Sequence, residues 1–245
     1  MKKLLFLVCG LFILNSCATD NENRGIKEVL RFYGGHCKSS IGISSSTDNE
    51  RKKYFELELS KSEAIEKQSR EIPEMPSSNI AYLFFKNLNE REKQNYDQIH
   101  SVLILSGGRK LTYKYSISLL QTISNRIKLA DKVVSLIKQK DFDTLQLMLD
   151  STYIKYNKQD IIEGIKSAEA HFENISAGFQ LQGFKISPLK DGTTILHILG
   201  VIIREKEGNQ FRIDVDLNSD KDKVILLEYT WQIKSKANEN RRLPT

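Results

Sequence analysis

Four strand-like runs close the chain, and they limit its fold more than any other feature. Residues 179–186, 194–204, 210–217 and 223–233 are rich in β-branched and aromatic side chains. Asp191-Gly192 and Gly208-Asn209 lie between them, residue pairs that favour tight hairpins. Consecutive hairpins make an antiparallel meander, which commonly buries one face and leaves the other in water. The preceding segment supplies the cover. Ile123, Ile127, Ala130, Val134 and Ile137 recur at steps of three or four residues, the mark of a long amphipathic helix. Its outward face is expected to carry Arg126, Lys128, Asp131 and Lys132. Asp141 or Asp143 caps a short second helix, and residues 158–174 give a third. Three helices followed by four antiparallel strands predict an α+β class.

The first half has a different rhythm. Ile26, Val29, Leu30 and Tyr33 mark a helix that Gly34-Gly35 ends. Ile41 and Ile43 alternate with small residues, and Phe55, Leu57 and Leu59 alternate with Tyr54, Glu56 and Glu58. A helix begins near Ser62, Pro73 and Pro76 interrupt it, and a second stripe runs through Ile80, Leu83, Phe84 and Leu88. Residues 99–105 read as a buried strand, Gly107-Gly108 turn the chain, and Leu111, Tyr113, Tyr115 and Ile117 alternate on the return. The order is α-β-β-α-β-β, two antiparallel hairpins with helices on one face. The reading is of two small units, an N-terminal α+β domain over 26–119 and a second over 120–236, with a flexible basic tail at 237–245.

The long helix, the turn Lys140-Asp141-Phe142-Asp143-Thr144-Leu145 into the next, a third helix and a meander together resemble the NTF2-like (cystatin-like α+β) superfamily over residues 120–236. The resemblance implies a curved antiparallel sheet packed on the long helix, enclosing a cone-shaped cavity. It implies no particular activity, because fold and function are separable. Enzymes of that superfamily hold an acid with a Tyr or His inside the cone. His171, His197, Glu228, Tyr229 and Tyr153 are the residues here of suitable type. His197 shares a sheet face with Ile195 and Leu199, and Tyr229 shares one with Leu227 and Trp231. His197, Tyr229 and Trp231 form the candidate pocket, with core filling as the competing role for the two aromatics. No catalytic residue is assigned.

The opposite end of the chain speaks of location. Lys2-Lys3 precede the apolar run 4–14, and Asn15, Ser16 and Cys17 follow, the pattern of an export signal over 1–16. The run of 11 residues falls well short of the roughly 20 a spanning helix needs. Leu14-Asn15-Ser16-Cys17 resembles the lipobox of bacterial lipoproteins. That resemblance implies cleavage before Cys17, acyl chains on its thiol, and residues 17–25 as a lipidated tether. Each buried methylene contributes about 0.8 kcal/mol, so two or three chains hold a protein to a bilayer. Ala18 stands where an Asp would imply inner-membrane retention. The implied site is the outer membrane, facing the periplasm or the surface.

Composition and spacing narrow the chemistry. The net charge of +6 is spread among interspersed acids, without the focused stripe of a nucleic-acid surface. With Cys9 in the leader and Cys17 acylated, Cys37 stands alone, so no internal disulfide is expected. A buried apolar role and a reactive thiol both remain open for it. His36, His100, His171 and His197 show no metal-ligand spacing, and neither metal nor cofactor is expected. Gly107-Gly108-Arg109-Lys110 lacks the rest of a phosphate-binding loop, and no G-x-S-x-G occurs. The expectation is a lipid-anchored envelope protein that binds or scaffolds. Its partner would be a small ligand, a peptide, or a second copy through the C-terminal domain. The alternative is an isomerase or hydrolase using a polar group in the cone.

Overall fold

Thr19 starts the first helix. Its hydroxyl accepts the Glu22 N–H at 3.2 Å, and the Glu22 carboxylate accepts the Thr19 N–H at 2.7 Å. The computed structural model describes residues 18–45, 51–70, 72–153 and 157–230. Helix α1 (Asp20–Tyr33) therefore takes in residues 20–25, which the sequence reading gave to a tether. The cause is this reciprocal cap together with the burial of Glu22, which a polar composition does not disclose. Strands β1 (His36–Ser45) and β2 (Arg51–Ser60) form an antiparallel hairpin. Then come α2 (Glu63–Gln68), α3 (Glu74–Phe85) and α4 (Glu90–Gln94), and the hairpin β3 (Gln98–Ile104) and β4 (Lys110–Ser116). Pro73 stands just before α3 and Pro76 in its first turn, where no backbone donor is needed. Strand β3 runs parallel to β2, so the three helices serve as the crossover in a sheet ordered β1-β2-β3-β4.

The Ser116 hydroxyl accepts the Leu119 N–H at 3.1 Å and starts α5 (Ile117–Gln139), so the expected boundary at 119/120 falls in its first turn. Lys140, left-handed at φ 59°, ends it. Helices α6 (Phe142–Met148) and α7 (Lys158–Glu169) follow, capped by Asp141 and Asn157. The meander is β5 (Ile175–Pro188), β6 (Thr194–Arg204), β7 (Asn209–Asp216) and β8 (Leu226–Thr230), antiparallel in chain order. Among the described residues the protein is thus α+β, with seven α-helices and two four-stranded sheets.

Buried apolar side chains from both sheets belong to one contiguous cluster. Helix α3 is the joint. Its Phe84 stacks on Phe55 of β2 at 4.3 Å, and its Ser78 hydroxyl accepts the Phe184 N–H of β5 at 2.7 Å while donating to the Met75 carbonyl at 2.8 Å. Tyr115 of β4 meets Phe184 edge-on at 5.7 Å. Two glycines permit these approaches. A Cβ on Gly25 would stand 2.9 Å from the Phe84 ring, and one on Gly183 would stand 2.2 Å from the Met75 carbonyl oxygen. Strand β5 is a sheet edge, and α3 covers it.

A second reciprocal cap, Asn89 with Glu92, starts α4 and is tied to the first. The Thr19 hydroxyl donates to Glu92 at 2.6 Å, Asn21 donates to it at 2.8 Å, and the Tyr96 hydroxyl donates to Glu22 at 2.6 Å. Burial pushes the Glu92 carboxyl up, but hydrogen bonds from Thr19, the Asn89 backbone and Asn21 outweigh it and hold the group below its usual range.

Candidate functional site

The second sheet has two faces of opposite character. On the helix side Phe184, Ile198, Phe211 and Ile213 are fully buried in the core cluster. Tyr229 joins them, its ring 4.9 Å from Phe211 and 5.8 Å from Phe172. Its hydroxyl donates to Glu169 of α7 at 2.7 Å. Burial, then the adjacent Glu169 charge, drives the Tyr229 hydroxyl far above its ordinary range, so it stays a proton donor. Glu169 also receives the guanidinium fork of Arg204, whose side chain is 2% exposed. Arg204 further donates to the Glu173 carbonyl at 2.7 Å and lies 4.6 Å from the Phe172 ring centre. This clasp closes one end of the sheet's inner side.

His197 stands on the opposite face, on the side of the sheet that Ile195 and Leu199 share, so the structure does not bring it together with Tyr229. Trp231 lies outside the described residues, as does Cys17. The His197 Nδ1 lies 2.9 Å from Asp214 Oδ1 on the neighbouring strand. Arg212 grips the same carboxylate at 2.8 and 2.6 Å, and approaches Glu228 at 3.7 Å. With the carboxylate as acceptor, Nδ1 carries the proton. The 3.0 Å approach of Arg212 to that nitrogen is then donor against donor. Burial raises the Asp214 carboxyl, and hydrogen bonds from His197 and Arg212 more than reverse this, holding it below its usual range. The arrangement is a fixed carboxylate orienting an imidazole on the outer face of the sheet. His171 is elsewhere, exposed, with Nδ1 2.7 Å from the Ser167 carbonyl. Tyr153 pairs with Thr193 at 3.0 Å.

A cleft of about 390 Å³ opens between α1, α3, α5 and β5. Phe32, Leu83, Ile127 and Phe179 supply its apolar wall, and Glu28, Arg31, Tyr82, Lys86 and Asp131 its polar one. Glu28 pairs with Lys86 at 2.6 Å and accepts from Asn87 at 2.6 Å. Burial pushes its carboxyl up, and these two partners bring it below the usual range. Burial raises the Asp131 carboxyl instead. Asp131 is exposed, as the helix periodicity predicts, and stands at the cleft's rim. The cleft itself is not legible in the sequence, because its walls come from four separated stretches with no shared motif. Arg126, expected on that same outward face, is buried and donates to the Lys221 carbonyl at 3.2 Å.

The remaining candidates are structural. The Cys37 thiol is half-buried and is pushed up to about 11 by burial and then by Glu58, which argues against a reactive thiolate. His36 beside it is exposed. Gly107 and Gly108 hold φ near 76° and 79° in the β3–β4 turn. Among the described residues no group of three or more His, Cys, Asp or Glu is placed to hold a metal ion, and no helix is long and apolar enough to cross a membrane. No family model, curated protein or solved structure matches the chain.

Proposed function

We propose that this is a lipid-anchored protein of the bacterial cell envelope, held by acyl chains on Cys17, that works by binding or scaffolding. The finer architecture belongs to the same proposal. It has an N-terminal α+β unit, whose first helix starts at Asp20, and a second unit from α5 onward with an NTF2-like curved sheet packed on that long helix. The observation that carries the binding role is the packing of the second sheet's inner side into the core. Phe184 and Phe211 are buried there, Tyr229 packs partly buried against them, and the Arg204–Glu169 clasp closes one end. Recognition then falls to outer surfaces and to the cleft beside α1, where charges of both signs border an apolar wall. A small ligand or short peptide suits that lining, and a second copy through the C-terminal unit is a further partner of the same reading.

The location rests on the leader and Leu14-Asn15-Ser16-Cys17. Replacing Cys17 with Ser is expected to move the protein from the detergent phase to the aqueous phase in detergent partitioning. Unchanged partition overturns the anchor.

A second reading, an isomerase or hydrolase, draws on the His197–Asp214 pair at 2.9 Å. That pair faces away from the cone, so such chemistry would have to take place on the open sheet face.

A further inference from the structure

Strand β1 is the outer strand of its sheet, and among the described residues it pairs with β2 alone. Such a row of unpaired backbone groups is a template for another strand, and proteins blunt it with charge, proline or cover. Here residues 39–45 carry neither charge nor proline. Ile43 is 66% exposed and Ile41 40% exposed, among the few large apolar side chains left in water.

The stretch Ser39-Ser40-Ile41-Gly42-Ile43-Ser44-Ser45 reads identically in both directions. A palindrome has a specific consequence in an antiparallel pair. We propose that β1 pairs with β1 of a second copy about a two-fold axis that passes between the two Gly42 residues, joining two four-stranded sheets into one. Ile41 then faces Ile43 of the partner, Ser40 faces Ser44, and Ser39 faces Ser45. Directly opposed side chains of an antiparallel pair share a face. Four isoleucines therefore gather on the side that Phe55 occupies in β2, the side of the core. The other face is serine and glycine at the axis. There the Tyr54 ring already lies across Gly42, within 2.4 Å of where a Cβ would be. No charge opposes a like charge within 39–45. The contact is isologous and closes on itself, so it makes a dimer and not a fibre. A single added strand buries less than the 1,200–2,000 Å² typical of stable complexes, so the dimer is weak and concentration-dependent.

Cysteine cross-linking of the full chain in detergent tests the register. Opposed residues have Cα atoms about 4.5–5.5 Å apart, within disulfide reach. A variant with Ser40→Cys and Ser44→Cys is expected to form a disulfide-linked dimer under mild oxidation, well above the parent chain with its own cysteines. A Ser40→Cys, Ser45→Cys variant, whose thiols point to opposite faces, is expected to stay at the parent level. Adding Ile43→Lys to the first variant should cut its cross-linking at least tenfold while leaving the melting temperature unchanged, because that side chain lies outside the core. Three results overturn the proposal: no dimer with Ser40→Cys and Ser44→Cys, equal cross-linking of the out-of-register variant, or indifference to Ile43→Lys. A monomer that instead gains a strand from an added peptide overturns it in favour of a different occupant.

Discussion

His100 shows how a single side chain ties stability to pH. It is buried against the Tyr54 ring, with centroids 4.0 Å apart, and its Nε2 lies 3.0 Å from Gln98. Burial, and then the nearby Lys114 charge, depresses it to about 4. Its 3.9 Å approach to Glu56 is therefore not an ion pair at neutral pH. In the unfolded chain the imidazole takes up a proton near pH 6.5. Above that pH the group is neutral in both states and has no effect. As pH falls from about 6.5 to about 4 the unfolded state binds the proton first, so the fold loses stability. Glu28, Glu92 and Asp214, all held low, add acid sensitivity that persists when His100 is replaced. His100→Gln is thus expected to lose less stability than the parent between pH 7.5 and 4.5 in urea titrations. Equal losses would refute a buried neutral imidazole. Nothing in the sequence marked this histidine, because stacking and depth depend on strands distant in the chain.

At the scale of elements, α3 and β5 hold the molecule together through small residues. Ser78→Ala removes the acceptor for the Phe184 N–H, which stays buried, and is expected to cost about 1–3 kcal/mol. Gly183→Ala drives a methyl group into the Met75 carbonyl, which as backbone cannot turn aside. Its cost should be at least the roughly 1–3 kcal/mol of overpacking, read as a lower midpoint in urea. A tolerated Gly183→Ala would mean that the helix sits off the strand. The stripe Ile80, Leu83, Phe84 was legible from its period. The burial of Ser77, Ser78 and Asn79 on the same helix was not, since polar residues at a helix start read as solvated. Period 2 located the meander strands well. It could not reveal the two irregularities in β5, between Ile175 and Gly178 and between Leu181 and Gly183, where an edge bends to meet a helix.

For the whole molecule, the sequence pattern yielded the α+β class and most elements, because caps, turns and periodicity are local. It did not yield the parallel β2–β3 pair or the shared core, which depend on contacts between distant stretches. Cutting at 119/120 would strip α3 from β5 and uncover Phe184. A fragment of residues 120–236 is expected to melt below the full chain by about 10 °C or more, given several kcal/mol of lost burial at roughly 2–4 °C each. Equal melting temperatures would show that the two units need nothing from each other. The paired helix caps at Thr19 and Asn89 carry a different consequence. Only Ala18 separates the proposed lipidation point from a residue locked into the fold. A leash of one or two residues, about 7 Å at full stretch, leaves little room to tumble. On the proposed anchoring, the protein would ride the bilayer in a narrow range of tilts, always offering its surroundings the same side.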